Sequence, residues 1–373
     1  MSVRIYTMTH KKFDVPQDTM YVPLQVGSAG KEKLGYLCDD TGDHISDLNC
    51  YYSELTGVYW IWKNDTRSDI VGVCHYRRYL LNEKEVMFRE AEITKLLSAY
   101  DLLTSRLLTL DFSYHYGFSD NHNVRDLDVT GEVISEKYPE YYDTFYKLVH
   151  ENHTYFGNIC VMKKELFDKY CAWLFDIFFE VQKRINVESY DSYHKRVFGF
   201  ISEFLLYVWV TKNGLNAYEC KVGMIDEKAE TKEMKLQLAE YFRRKDISGA
   251  KSYFMEMHKK RPDVLMEASD ITGELRVCMQ VIATAEQEKA ATGQSILDKG
   301  YEYQKLMHLF KTLNGIVKRY CVHMETAQDK ELLKKLEVSG QAVDIAVLVF
   351  CKDTALTEET AQRIKIDIPS GMC

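Results

Sequence analysis

Short apolar runs that end abruptly in polar clusters dominate the first two thirds of the chain, and amphipathic segments separate them. Arg4–Thr9 and Asp69–Cys74 have the composition of buried strands. Between them, Tyr51–Lys63 carries apolar residues at helical spacing and predicts a helix. The order strand, loop, helix, strand over the first 75 residues favours an α/β fold with a mixed, mostly parallel sheet.

The same patterns predict further elements up to about residue 226. These are helices over Glu90–Tyr100, Asp126–Lys137, Lys164–Arg184 and Phe198–Lys212, and strands over Asp101–Leu103 and Gly157–Met162. The aromatic and histidine-rich segment 110–125 has few helix or strand signals, and we interpret it as a substrate loop.

Beyond Asp226 the strand-like runs give way to segments rich in Lys, Glu, Ala and Gln. They predict three helices, Ala239–Lys260, Leu265–Glu288 and Ser295–Val322, with turns at Arg261–Pro262, at Thr292–Gly293 and near Gly315. Two domains follow, an α/β domain over residues 1–226 and an all-α domain over residues 227–373. The second is expected to act as a scaffold or to bind a partner.

Composition narrows the functional classes. The chain has 373 residues, 46% of them hydrophobic, and a net charge of -8, which disfavours binding to nucleic acid. Its ten cysteines are scattered singly, as in a reducing cytosol, and neither a signal peptide nor a long apolar segment is recognisable. We therefore expect a cytoplasmic protein. The composition is also compatible with three further properties: peripheral association with the inner face of the membrane, binding of a protein partner, and homo-oligomerisation through the helical domain.

The stretch HYRRY, residues 75–79, directly follows the apolar run that ends at Cys74. Open α/β sheets bind ligands outside the carboxyl ends of their strands, so this cationic strand end is a candidate anion site. In an extended chain His75 and Arg77 would point to one face, and Tyr76 and Arg78 to the other. The alternative is that the arginines are solvated or paired with nearby acids.

Six separated motifs occur in an order that resembles a bacterial family of capsular and exopolysaccharide biosynthesis proteins. They are THKK (9–12), DDTGDHIS (39–46), ELTGVYWIWKN (54–64), GVCHYRRYL (72–80), FGNICVMKKELFDKYCAWLF (156–175) and RVFGFISEFLL (196–206). The resemblance covers about residues 3–226. It implies a GT-A-like sugar-nucleotide domain that transfers a glycosyl group, with galactofuranosyl or galactosyl donors known among relatives.

Many GT-A enzymes place an Asp-x-Asp metal site where this chain has His75-Tyr76-Arg77. A guanidinium can bind phosphate oxygens directly, so we predict that Arg77 and Arg78, with His75, stabilise the donor diphosphate without a required metal. Bound Mn²⁺ or Mg²⁺ stays open. The candidate ligands are Asp101, Asp111, the pair Asp126 and Asp128, and the pair His150 and His153, which lacks a third ligand.

Glu203 is the candidate catalytic base, because an acid inside the apolar Phe198–Lys212 helix is costly unless it is paired or functional. A salt bridge to Arg196 or to the arginines of HYRRY is the alternative. In the family that the chain resembles an Arg usually follows this Glu, whereas here Phe204 does. The departure weakens any role that requires a Glu-Arg pair.

Other polar residues near strand ends are candidates for substrate contacts. For the donor nucleotide they are Thr9, His10 and Lys11, together with Asp40, Asp43 and Ser46, which alternatively only form a turn. For the acceptor or the sugar they are Tyr76, His115, His122 and Asn158.

The sequence thus predicts an inverting, UDP-sugar-dependent glycosyltransferase that acts on a saccharide or lipid-linked oligosaccharide in surface-glycan synthesis. A non-catalytic protein that binds a sugar nucleotide and docks a partner is the alternative. Phosphoryl transfer is disfavoured, since the chain lacks GxxxxGK[ST].

Overall fold

A computed structural model describes residues 2–265, 269–351 and 354–367. The chain divides into two compact units, Met1–Ile225 and Asp226–Cys373. The first contains all the strands of the described residues, and the second is helical. The predicted mixed α/β region followed by a helical region is confirmed.

The first unit alternates strands with helices. Its strands are β1 (Val3–Thr9), β2 (Tyr21–Gln25), β3 (Leu37–Cys38), β4 (Ile70–His75), β5 (Arg78–Leu81), β6 (Leu102–Ser105), β7 (Leu108–Thr109), β8 (His153–Thr154), β9 (Cys160–Lys163) and β10 (Ala217–Met224). Its α-helices are α1 (Asn49–Tyr52), α2 (Leu55–Asn64), α3 (Glu90–Leu96), α4 (Tyr114–Asn121), α5 (Val124–Lys137), α6 (Pro139–Val149), α7 (Lys164–Arg184) and α8 (Val197–Lys212).

Eight of these strands form one sheet in the order β3-β2-β1-β4-β5-β10-β6-β9, in which β4 also pairs with β9. The pairings β1–β2, β1–β4, β2–β3 and β6–β10 are parallel, and β4–β5, β4–β9, β5–β10 and β6–β9 are antiparallel. Six strands therefore share one direction. Only half of the pairings are parallel, because β5 and β9 are inserted in the opposite direction.

Both faces of the sheet are covered, which explains why β4 is apolar at successive positions. Val71 and Val73 pack into the larger core with α2 and α5–α8, whereas Ile70 and Cys74 pack into a smaller core with α3. Alternate residues of a strand point to opposite faces, so a strand buried on both sides needs a continuous apolar run. The charged residues of this segment are consequently confined to the strand end.

The carboxyl ends of β1 and β4 meet at one edge of the sheet, since Met8 is in register with His75. The antiparallel strand β9 begins at the same edge, where Cys160 pairs with Val73. This arrangement brings three segments together: the two that follow β1 and β4, and the one that precedes β9.

The HYRRY stretch is a hairpin rather than an extended strand. His75 pairs with Arg78 across a turn formed by Tyr76 and Arg77. Directly paired residues of an antiparallel ladder project to the same face, so the expected alternation is wrong. His75 and Arg78 share one face, and Tyr76 and Arg77 lie at the tip.

Two local predictions in this unit are also wrong. The helix over Tyr51–Lys63 is interrupted at Ser53, where φ is +50°, so α1 and α2 are separate. The supposed loop 110–125 contains α4, which is capped by Ser113 through a hydrogen bond from the Tyr116 N–H at 3.3 Å. Serine is a common N-cap residue, because its side chain accepts a hydrogen bond from a backbone N–H of the first helical turn. The aromatic composition of this segment obscured that signal.

The helices of the second unit surround a core of their own. They are α9 (Ala229–Arg243), α10 (Ile247–Lys260), α11 (Glu274–Thr292), α12 (Tyr303–Cys321), α13 (Ala327–Leu333), α14 (Gly340–Phe350) and α15 (Thr354–Lys365). The predicted helix Ala239–Lys260 is two helices, because Asp246 caps α10 by accepting from the Gly249 N–H at 2.8 Å. The predicted turn near Gly315 is wrong, because Gly315 lies inside α12 and packing overrides its low helix propensity.

Among the described residues, no helix combines the length and the apolar character that crossing a bilayer requires.

Candidate active site

Two carboxyl groups and one imidazole meet at the sheet edge and form what we call the carboxyl–imidazole cluster: Glu54, His75 and Glu203. Glu54 precedes α2, His75 ends β4 and Glu203 lies in the middle of α8. Each side chain is largely surrounded by protein yet retains some exposed surface. Such groups are desolvated and still reachable, the combination that active sites use to shift pKa values.

His75 is held by the backbone before β9. Its Nε2 lies 2.6 Å from the carbonyl oxygen of Gly157. Because a carbonyl only accepts, Nε2 carries the proton in this hydrogen bond. Burial, helped by the charges of Arg78 and Arg77, lowers the pKa of His75 despite the opposing charge of Glu54. The imidazole is therefore neutral at pH 7, with Nδ1 left as an acceptor.

Glu203 has the most perturbed carboxyl group of the cluster. Burial, and then the negative charge of Glu54, raise its pKa to about 8. The charges of Arg78 and Arg196 and hydrogen bonding to the Gly157 backbone oppose this shift without cancelling it. Glu203 is consequently protonated in most molecules at pH 7 and ionises just above neutrality.

Glu54 behaves in the opposite way. Burial alone would raise its pKa, but the charge of His75 in its protonated form, the charge of Arg196 and a hydrogen bond from Asn158 outweigh burial and lower it. Glu54 therefore carries the negative charge of the cluster at neutral pH. The pKa values of Glu54 and Glu203 are thus shifted in opposite directions. In active sites, such a difference gives two carboxyl groups different acid-base roles.

Asn158 fixes the position of Glu54. Its Nδ2 donates to Glu54 Oε1 at 2.7 Å and to the Gly199 carbonyl at 2.9 Å. The Ser202 hydroxyl donates to Asn158 Oδ1 at 2.8 Å. These bonds tie the start of α2 to α8, and the contact of Asn158 with a sugar stays a prediction.

Gly157 occupies a backbone conformation that favours glycine, with φ of +89°. A Cβ there would lie 3.8 Å from Arg78 Nη1, so the position has space but strained torsions. We expect Gly157→Ala to lower the free energy of unfolding by about 1–3 kcal/mol and to displace the carbonyl that holds His75. Chemical denaturation and the NMR titration of His75 would measure the two effects.

Gly214 supplies a matched control, because its φ is +60° and nothing lies within 4 Å of the place that a Cβ would occupy. Gly214→Ala should cost stability similarly while leaving the titration of His75 unchanged. An unchanged His75 titration in Gly157→Ala as well would contradict the positioning role of Gly157.

The two arginines of the hairpin rest on aromatic rings. Arg78 lies over the Phe156 ring, 5.0 Å from its centroid, and Arg77 lies over the Tyr76 ring at 4.9 Å. The Arg77 side chain makes no hydrogen bond or ion pair with another residue in the described part of the chain. Its guanidinium is thus held in place by stacking while its donors stay available to an anion.

Tyr76 forms the centre of a cationic and aromatic surface at the end of β1. The Lys11 ammonium lies 5.4 Å from the Tyr76 ring centroid, and the rings of His10 and Phe13 lie at 5.5 and 5.8 Å. His10 and Lys11 are exposed. This arrangement brings predicted donor residues beside Tyr76, which was predicted to contact the acceptor or sugar.

The remaining predicted donor residues have partners within the fold. Thr9 is buried, and its Oγ1 donates to the Lys11 carbonyl at 2.6 Å. Asp40 pairs with Lys33, and Asp43 accepts from the Tyr59 hydroxyl at 3.0 Å.

Ser46 belongs to a network centred on Asp39, a residue that the sequence pattern did not single out. Ser46 Oγ and Thr56 Oγ1 each donate to Asp39 at 2.6 Å, and the backbone N–H groups of Gly27 and Ser28 donate to it as well. These contacts fasten the loops after β2 and β3 to α2. Ser46 therefore has a structural role in the turn.

The two predicted sugar-binding histidines lie apart from the cluster. His115 is 3.1 Å from Asp128 Oδ1. His122 stacks on Phe200 with ring centroids 4.3 Å apart. Both belong to the surroundings of α4, whose Tyr114 stacks on Phe204 at 4.2 Å. Phe204 is fully buried in the larger core, so this position offers no charge to Glu203.

The candidate metal ligands do not converge. Asp101 accepts from the Asn216 N–H at 2.8 Å, before β6. Asp126 is buried and accepts from the Tyr190 hydroxyl at 2.8 Å, whereas Asp128 is exposed and faces His115. Residues two apart on a helix point in different directions, so the i, i+2 spacing does not make a site here. No cluster of three or more ligating His, Cys, Asp or Glu occurs among the residues described.

Glu54 and Arg196 belong to this candidate site but were not predicted as site residues from the sequence. Arg196 was considered only as a salt-bridge partner of Glu203, and it instead donates from Nε to Ser53 Oγ at 3.0 Å. The available signal was an acid directly before the buried helix that begins at Leu55. That acid could be recognised as part of the site only after the break at Ser53 was known.

Comparison with known proteins places this site in a family. A family model described as a domain of unknown function, DUF4422, matches residues 4–214. The chain belongs to the DUF4422 family. The matched region includes the whole carboxyl–imidazole cluster and the HYRRY hairpin.

The DUF4422 chain is also similar to a solved structure titled WbbM bifunctional glycosyltransferase, in its apo form. The two share 27% sequence identity with a TM-score of 0.56, over 61% of this chain and 46% of that one. The match therefore spans less than half of the WbbM chain. No curated protein matches the sequence.

Proposed function

We propose that the DUF4422 domain of this chain is a glycosyltransferase that moves a hexosyl group from a UDP-sugar to a saccharide acceptor. The observation that carries the proposal is the carboxyl–imidazole cluster beside two arginines at the carboxyl edge of the sheet. The similarity to a glycosyltransferase structure supports the reaction class. Galactofuranose and galactose are the sugars that the sequence resemblance favours, in surface-glycan synthesis on a lipid-linked oligosaccharide.

Departure of the nucleoside diphosphate requires positive charge at the phosphate oxygens. Arg77 has free donors at the hairpin tip, and Arg78 lies next to His75. We assign diphosphate stabilisation to this pair, with Lys11 beside Tyr76 as a further cation. Under this assignment an Asp-x-Asp metal is not required, and Mn²⁺ or Mg²⁺ would add to the rate without being essential.

The acceptor hydroxyl must lose a proton as its oxygen attacks the anomeric carbon. We assign the proton to the carboxylate of Glu203, while the carbon–oxygen bond to the diphosphate breaks on the opposite face and UDP leaves. The product has inverted anomeric configuration. A base with a pKa of about 8 binds the proton more strongly than an ordinary glutamate, and Glu54 keeps it basic by its adjacent charge.

A donor panel tests the reaction class. UDP-galactofuranose, UDP-galactose, UDP-glucose and UDP-N-acetylglucosamine are each added to the full chain, with EDTA and separately with Mn²⁺. We expect one donor to raise the melting temperature and to be hydrolysed or transferred in EDTA, because a ligand stabilises the state that binds it. Activity that appears only with Mn²⁺ would contradict the assignment of the arginines.

A donor that binds but is neither hydrolysed nor transferred to added saccharide acceptors would favour the alternative function, a non-catalytic sugar-nucleotide-binding protein. The buried stack of Phe204 on Tyr114, at the position where the family pattern that the sequence resembles usually has an Arg, is the observation that favours it. In that case the helical unit would serve to dock a partner.

A further inference from the structure

A groove with a volume of about 480 Å³ lies between α5 and α6, outside the carboxyl–imidazole cluster. Its volume falls within the range of about 300–1,000 Å³ that is usual for small-molecule sites. Its floor is formed by Leu127, Phe145 and Val149, and Gly131 allows the two helices to approach, since a Cβ there would meet Phe145 at 2.7 Å.

The charged groups that line the groove already have partners. Asp128 lies 3.1 Å from His115, and Arg125 donates to Glu132 at 2.6 Å. Glu136 accepts from Arg184 at 2.6 Å. Because two of these carboxylates are paired with arginines and Asp128 is in contact with His115, the groove is suited to a neutral ligand rather than to an ion.

Several neutral polar atoms of the groove are unused. The hydroxyl groups of Tyr142 and Tyr146 make no hydrogen bond with another residue in the described ranges. His150 uses Nδ1 to donate to the Tyr146 carbonyl at 2.8 Å, which leaves Nε2 as an acceptor. The groove thus presents both donors and acceptors at short spacing, as polyhydroxylated ligands require.

Aromatic rings supply the apolar part of the surface. The Tyr146 side chain is 56% exposed, and its ring lies 6.1 Å from that of Tyr142. The rings of His115 and His150 are nearly parallel, at 5.7 Å and 11°. Exposed flat rings beside free hydroxyl groups match the alternating C–H faces and hydroxyl groups of a sugar.

We propose that this groove is a saccharide-binding site for a neutral oligosaccharide, separate from the reaction centre. Helix α4 joins the two regions: Tyr114 stacks on Phe204, next to Glu203, and the following residue His115 lines the groove. The identity of the ligand rests on the proposed function: it is the part of the saccharide acceptor that does not react. Saccharide binding itself does not depend on that function.

Saturation-transfer NMR on the full chain, without donor or metal, tests the site with neutral tetrasaccharides of galactose, glucose and mannose. We expect at least one to bind, and Tyr146→Ala and His150→Ala to weaken it by about fivefold or more, as loss of a stacking or hydrogen-bonding group predicts. Tyr116→Ala is the matched control, because Tyr116 is a 60% exposed tyrosine on α4 that does not line the groove.

The proposal is overturned if none of the tetrasaccharides binds, or if Tyr146→Ala binds as tightly as the unchanged protein. Equal weakening by Tyr116→Ala would also overturn it, since the effect would not be specific to the groove. If transfer is observed, Tyr146→Ala should raise KM for a long acceptor and leave the donor KM unchanged. If transfer is absent, the binding result still decides the groove independently of the proposed function.

Discussion

Replacing Glu203 with glutamine is expected to lower kcat by about 10²–10⁴-fold while leaving donor affinity near that of the unchanged protein. Glutamine keeps the size and hydrogen-bonding capacity of the protonated acid, which is the form present in most molecules at pH 7. It removes only the ability to accept the proton of the acceptor hydroxyl. Steady-state transfer assays and a separate donor titration measure the two quantities, and retained turnover would remove Glu203 as the base.

The pH dependence gives the same assignment a second test. Because the pKa of Glu203 is about 8, the fraction of ionised base grows as pH rises, so kcat/KM should be half-maximal at about pH 8 and should level off roughly one pH unit above that. Glu54→Gln removes the negative charge that raises this pKa, so the rise of kcat/KM should occur at lower pH. A rise at the same pH in Glu54→Gln as in the unchanged protein would contradict the coupling between the two carboxyl groups.

Stability measurements separate a loss of catalysis from a loss of fold. The folded pKa of Glu203 is above its usual value of 4.5, so its protonated form stabilises the fold fully at low pH, and this contribution is lost as pH rises to about 8. Glutamine cannot ionise. Glu203→Gln should therefore be at least as stable as the unchanged protein at pH 8.5, and Glu165→Gln, an exposed glutamate on α7, should change neither activity nor stability.

Replacing Arg77 with alanine is expected to weaken donor binding by about 1.5–3 kcal/mol, the range for a hydrogen bond to a charged group. Arg77 is the informative arginine because no carboxylate pairs with its side chain among the described residues, and because its effect on the pKa of His75 is smaller than that of Arg78. Calorimetric titration of the donor in EDTA measures the change. Arg77→Lys should recover only part of the affinity, since an ammonium cannot make the paired contacts of a guanidinium.

Arg67→Ala is the matched control for this experiment. Arg67 is an exposed arginine just before β4, at the end of the strand opposite His75, so its removal changes the net charge equally without touching the hairpin. A loss of donor affinity that is equal in Arg67→Ala and Arg77→Ala would show a general charge effect and exclude direct diphosphate contact by Arg77.

Much of the α/β unit could be predicted because its elements have strong local signals. Helix α7 begins and ends at the predicted residues, Lys164 and Arg184, since an apolar stripe runs through its whole length. Strand β4 is apolar on both faces, so its position was evident. The segment around α4 was misread because its helix depends on the Ser113 cap and on packing of Tyr114 and Phe118, rather than on a regular apolar period.

The candidate site was only partly predictable. Periodicity and composition are local properties, and they were enough to predict that a buried strand ends in His75 and two arginines, that an acid lies inside α8, and that the C-terminal region is helical. Tertiary structure alone decided that His75 pairs with Arg78 and that the break at Ser53 brings Glu54 beside Glu203. The opposite pKa shifts of these two glutamates depend on burial and on charges supplied by distant segments, and no local pattern encodes either.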